Sequence, residues 1–240
     1  MTEELLDTRA RIIRAAKALL DKGGRDAVST RAVSAAAGVQ APTIYRQFGD
    51  MRGLLDAVAH QALVDYVALK ASLTPSDDAV ADLRKGWHGH VEYGLANPAA
   101  YLLIYSDPQS LADAPAKREA EAMLLKLVTR VAEAGRLKVS VPHAAQLISS
   151  AGRGVVLSLI ATPPAERDAE LANAMCEAVM SAILAKTSVD QNGGHQPTEN
   201  RVASRAVALR AVLSDAPDVL SPAEEHLLGD WLDRLATTRA

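Results

Sequence analysis

With 240 residues the chain is long enough to bury a real core, as one large domain or two small ones. Only 3% of its residues are aromatic and Ala, Leu and Val dominate, which excludes a β-rich fold and predicts an all-α one. A net charge of −3 excludes a polycation that coats nucleic acid indiscriminately, and the single cysteine, Cys176, excludes an intramolecular disulfide or a multi-cysteine metal site.

The start, MTEELLDTRARIIRAAK, is charged throughout and has no apolar signal region. Arg153 interrupts the best apolar run before it reaches the roughly 18 residues of a membrane span. A cytoplasmic protein with no membrane partner is therefore expected. Along the chain, Ile12, Ile13, Ala16, Leu19 and Leu20 share one helical stripe that stops at Gly23-Gly24. Ser29 stands at the N-cap of a second helix carrying Val33, Ala36 and Ala37, which closes at Gly38. Pro42 suits the first turn of a third helix, where its missing N–H leaves nothing unpaired. At helical spacing Ile44 and Phe48 lie about 40° apart and face inward, so Thr43, Tyr45 and Arg46 face out.

A fourth helix runs from about Asp50 to Thr74-Pro75-Ser76. Further helices are predicted over 77–96, 98–105, 116–135, 142–161 and 167–186, broken at Asn97-Pro98, Asp107-Pro108, Pro115, Pro142 and Pro163-Pro164. Residues 187–200, TSVDQNGGHQPTEN, read as a polar linker. Two amphipathic helices follow, over 201–213 and 221–235, the second opening on a Ser221–Glu224 capping box. These last forty residues are too few for a core of their own and should pack on the body or a partner. The expected organisation is a head over 1–50, a helical body over 51–186, the linker, and a C-terminal helical extension over 201–240.

Two helices joined by a tight glycine turn, the second exposing polar, aromatic and cationic side chains, make the helix-turn-helix layout that enters the major groove. Residues 1–60 carry nine Lys or Arg against seven Asp or Glu, so the head is mildly basic within an acidic chain. Ser29, Ala37-Gly38-Val39, Ile44-Tyr45 and Phe48 stand at the spacing of a known signature. On these residues the segment 9–55 resembles the DNA-binding region of the TetR family of bacterial transcriptional regulators. The resemblance implies a three-helix DNA-binding domain followed by a helical ligand-binding and dimerisation domain. It implies phosphate contacts from Ser29 and Tyr45, base reading by Gln40, Thr43 and Arg46, and either role for Arg31. Three departures stand out. Gln40 replaces a capping Ser or Thr, Ser34 replaces a small Ala, and Met51 replaces a phosphate-binding Lys, a contact left open unless Arg52 takes it over.

A short reading helix spans few base pairs, so a homodimer on two half-sites is expected. The apolar faces of 142–161 and 167–186 are the expected seam, through Ala151, Gly152, Val155, Leu159, Met175, Val179 and Ile183. Trp87, His90, Tyr93, Tyr101 and Tyr105 fall within nineteen residues and are the expected lining of a small-molecule effector site. No metal or cofactor is expected, because His88 and His90 diverge on a helix and no zinc, nucleophile or phosphate-loop motif occurs. The favoured function is a ligand-responsive repressor with operator DNA, an effector and itself as partners, rather than an enzyme. The alternatives are a helical protein-interaction module and an enzyme with a DNA-reading head.

Overall fold

Glycine and proline set most helix ends in the computed structural model, which describes residues 2–105, 114–185, 198–213 and 219–237. The helices are α1 (Thr2–Gly23), α2 (Thr30–Ala37), α3 (Ala41–Phe48), α4 (Met51–Ala71), α5 (Ala79–Ala96), α6 (Pro98–Tyr105), α7 (Pro115–Glu133), α8 (Val141–Ala161), α9 (Leu171–Ile183), α10 (Thr198–Val212) and α11 (Pro222–Thr237). Among the described residues no strand forms, and the fold is all-α. An isolated antiparallel bridge joins Leu137 to Leu184, flanked by Lys138 N–H donating to the Ile183 carbonyl at 2.9 Å. Periodicity gave no sign of this contact.

Three helix starts differ from expectation, that of α5 by falling at Ala79 and not at 77. After Pro163-Pro164 the chain makes a 3-10 turn, and the Asp168 carboxylate then accepts from Glu170 N–H at 2.9 Å. These local bonds hold the segment in turns, so α9 opens at Leu171 and not near 167. Helix α10 opens at Thr198, inside the expected linker. Residues 187–197 of that linker, and the Asp107-Pro108 break, lie outside the described residues.

The chain divides into two compact units. The first comprises 1–73, 92–120 and 159–161. Its core joins Ile12, Ala16 and Leu20 of α1, Val33 and Ala37 of α2, Ile44 of α3, and Leu54 and Val58 of α4. Ala99 and Leu103 of α6 pack against the same cluster.

The second unit comprises 74–91, 121–158 and 162–240. Val128, Val131 and Ala132 of α7 are buried, as are Ala144, Ile148, Val155 and Val156 of α8 and Cys176, Met180 and Ile183 of α9. Helix α8 is long and apolar enough to cross a membrane by length and composition, despite the exposed Arg153. Burial of one face within the bundle gives a physical reason for that composition. Arg84 of α5 grips Glu177 of α9 with two bonds of 3.0 and 2.9 Å. Helices α10 and α11 form a hairpin around Ala206, Leu213, Leu228 and Leu232. The capping box forms as expected, with Ser221 N–H donating to Glu224 at 2.8 Å.

Asp82 of α5 is the most tightly held carboxylate of this unit. It accepts from Arg130 of α7 at 2.6 Å and from Ser76 Oγ and N–H at 2.7 and 2.9 Å, which holds its pKa down to about 2. A folded value below the unfolded one stabilises fully above about pH 4, and that contribution is lost as pH falls towards 2. Asp82→Asn is therefore expected to lower the melting temperature at neutral pH and to converge with the parent near pH 2. Thermal melts across that range check it, and a gap of constant size would contradict it.

Candidate nucleic-acid interface

The first unit presents one short helix on a rigid base. Ser29 caps α2 by accepting from Ala32 N–H at 3.2 Å, and its hydroxyl hydrogen remains available to a further acceptor. Gly38 ends α2 with φ 63° and ψ 40°, a left-handed conformation costly to residues with a Cβ. Val39 N–H donates to the Ser34 carbonyl at 3.0 Å and completes the turn. Helix α3 then starts at Ala41 with no side-chain cap from Gln40. The missing Ser or Thr at position 40 has that consequence, and it leaves the exposed Gln40 amide uncommitted to a cap.

Ile44 is 0% exposed and pins α3 to the core, while Tyr45 is 46% exposed and Arg46 is exposed beside it. Thr43 is half-buried, more enclosed than its outward assignment implied. Arg31 on α2 and Arg52 on the first turn of α4 are both exposed. The Tyr45 and Thr30 hydroxyls are hydrogen-bonded at 3.0 Å, which orients the phenol across the start of α2. Thr30 is thus a positioning residue that sequence reasoning missed. No local pattern announces a bond spanning fifteen residues.

Two arginines of α1 are structural. Arg9 donates to the Gln47 carbonyl at 2.8 Å and lies 4.3 Å from the Phe48 ring centroid, holding the end of α3. Arg11 donates to the Ala37 carbonyl at 3.0 Å, at the C-terminus of α2, where a cation is favoured. The mild basicity of the head is partly spent on its own helix ends. Beyond Gly49, with φ 79°, Asp50 caps α4 by accepting from Gly53 N–H at 2.8 Å. A Cβ on Gly53 would meet the Phe48 carbonyl oxygen at 2.1 Å, so α4 begins in direct contact with the end of α3.

Ser34 is an imperfect fit. Its hydroxyl is buried and has no hydrogen-bond partner. A buried unpaired polar group costs about 1–3 kcal/mol, so Ser34→Ala should stabilise the protein by about 1 kcal/mol. Urea melts check the sign, and a loss of stability would show that the hydroxyl is satisfied after all.

Residues 12–58 match the family model described as bacterial regulatory proteins, tetR family. Over residues 12–58 this chain is thus similar to the tetR family. The match covers α2, α3 and the turn between them. Among solved structures, a TetR-family transcriptional regulator from Agrobacterium tumefaciens has 20% identity and a TM-score of 0.57, covering 75% of this chain and 100% of that one. A tetR-family regulator from Rhodococcus RHA1 gives 20% and 0.57, covering 75% and 98%. RolR in complex with resorcinol gives 20% and 0.61, covering 84% and 94%. At these identities the likeness shows a shared fold. No curated protein matches.

The residues expected to line an effector site divide between the units. Tyr93, Tyr101 and Tyr105 belong to the first, with Trp87 and His90 in the second. Trp87 donates its indole N–H to the Ala172 carbonyl at 3.1 Å, and its ring and that of His90 border Gly152 of α8. In the first unit Tyr101 and Tyr105 are 4.5 Å apart between centroids. Tyr93 stacks on Tyr66 of α4 at 4.2 Å and donates its hydroxyl to the Ala62 carbonyl at 3.1 Å. Burial raises the Tyr66 pKa, with smaller contributions from Tyr105, Tyr101 and Tyr93, and burial pushes Tyr93 to about 12. Tyr66 escaped sequence reasoning because it precedes the aromatic-rich stretch. Its i,i+4 partner Lys70 was the available signal.

Of the expected seam, Gly152, Val155, Leu159, Val179 and Ile183 are buried and Ala151 is half-buried, while Met175 is 37% exposed. Met175 shares an exposed strip of α9 with Ala174, Ala178 and Ala182.

Proposed function

We propose that the protein is a homodimeric transcriptional repressor whose α3 reads operator DNA until a small molecule binds the tyrosine cluster. The observation that carries this reading is the exposed Tyr45 and Arg46 edge of α3, anchored from behind by Ile44 and clamped at its end by Arg9. In the major groove Ser29 and Tyr45 hold phosphates, and Gln40, Thr43 and Arg46 face base edges. Arg31 and Arg52 add charge at the groove margins, Arg31 serving phosphate or base.

The strip of Ala174, Met175, Ala178 and Ala182 gives a second protomer a surface of small side chains, where helices approach closely. The buried residues of the expected seam then support this strip from within. The effector reading rests on helix α4. Gly53 at one end abuts α3, and Tyr66 joins the tyrosines near the other, about 20 Å away at 1.5 Å per residue. A ligand that displaces the far end of α4 thereby moves α3, with a coupling of about 1–3 kcal/mol typical of such linkages. RolR, solved with the ligand resorcinol, supports a small-molecule effector here.

Fluorescence anisotropy with duplex DNA from upstream of the protein's own coding region tests the reading. Nanomolar binding that weakens steeply with salt is expected. Binding no tighter than to random duplex at every salt concentration would favour a protein-interaction module instead.

A further inference from the structure

Among the described residues, the tyrosine cluster contains a cation that no carboxylate pairs with. Lys70, half-buried in the last turn of α4, places Nζ 4.6 Å from the Tyr66 ring centroid. Burial lowers its pKa to about 8, so the ammonium is still cationic at neutral pH but poorly hydrated. Tyr66 and Tyr101 are buried, whereas Tyr93, Tyr105 and Lys70 each keep part of their surface in solvent. Lys70 thus lies over Tyr66, the ring on which Tyr93 stacks and to which Tyr101 and Tyr105 are electrostatic neighbours.

A ring face offers little recompense for a lost water shell compared with an anion. An acceptor of one negative charge, carried on a flat apolar ring, satisfies both features of the cluster. We propose that the cluster binds an aromatic carboxylate, with its ring on Tyr93 and Tyr105 and its carboxylate on Lys70 Nζ. This deepens the effector reading above and rests on it. It makes Lys70 the residue that separates acids from neutral analogues, at the end of α4 remote from α3.

The test is titration calorimetry of the full chain with benzoate, phenylacetate and cinnamate, each paired with its neutral amide. At least one acid is expected to bind about tenfold or more tightly than its amide, in line with a charge-assisted hydrogen bond. Lys70→Met should erase that preference while keeping the amide's affinity, which reports an intact cluster, and Lys70→Arg should retain it. Absence of any acid preference, or its survival in Lys70→Met, would overturn the proposal. Operator release measured on the same samples separates the two ideas. Acid binding that depends on Lys70 but leaves DNA bound upholds this site and contradicts the regulatory reading, whereas release by amides as readily as by acids does the reverse.

Discussion

Replacing Gly53 by Ala is expected to destabilise the DNA-binding unit by about 3 kcal/mol, at the upper end of overpacking penalties. The new methyl would sit 2.1 Å from the Phe48 carbonyl oxygen, and the obstacle is backbone, not a side chain that can rotate away. Relief requires α4 to withdraw from the end of α3, which also breaks the Asp50 cap on Gly53 N–H. DNA affinity should fall with stability, because the same shift moves Tyr45 and Arg46. Gly89 in α5 is the control. A Cβ there meets nothing within 4 Å, so Gly89→Ala should be neutral or stabilise by up to about 1 kcal/mol, as for Gly in a helix. Denaturant melts of both variants decide it, and equal effects would contradict the packing argument.

Arg46→Ala should weaken operator binding by about 1–3 kcal/mol, roughly ten- to a hundredfold, the range for one bidentate contact to guanine. Affinity for random duplex should change far less, since base reading and phosphate attraction are separate contributions. Stability should hardly move, because Arg46 is exposed and contributes nothing to the core cluster. Tyr45→Phe provides the contrasting outcome. It loses the hydroxyl shared with Thr30 and a phosphate donor, so specific and random binding should fall together. Anisotropy titrations on both DNAs separate the two, and an equal loss for Arg46→Ala on operator and random duplex would remove it from base reading.

Much of the α1–α4 head was legible in the residues because its signals are local. A capping Ser29, a left-handed Gly38 and an Ile44–Phe48 inward pair each act within one turn of helix, where propensity and periodicity are informative. Inward packing of Ile44 and exposure of Tyr45 and Arg46 followed from spacing alone. What stayed hidden are long-range contacts. Arg9 and Arg11 look like ordinary helix-surface charges until the ends of α3 and α2 arrive beside them. Tyr66 joins the aromatic group through its stack on Tyr93 of α5, a contact across twenty-seven residues. The apolar stripes of α8 and α9 are a different case. Periodicity identifies a face that seeks burial without naming what buries it, and Val155, Val179 and Ile183 are already covered within the protomer.

Selection of bound sequences from a pool of random duplexes is the most direct measure of whether the exposed face of α3 reads DNA. The structure predicts enrichment of a twofold-symmetric site with half-sites about one helical turn, roughly 34–36 Å, apart, and loss of specific bases at one position of each half when Arg46→Ala is used. A pool that stays unenriched, or an enriched site unchanged by Arg46→Ala, Gln40→Ala and Thr43→Ala alike, would contradict it.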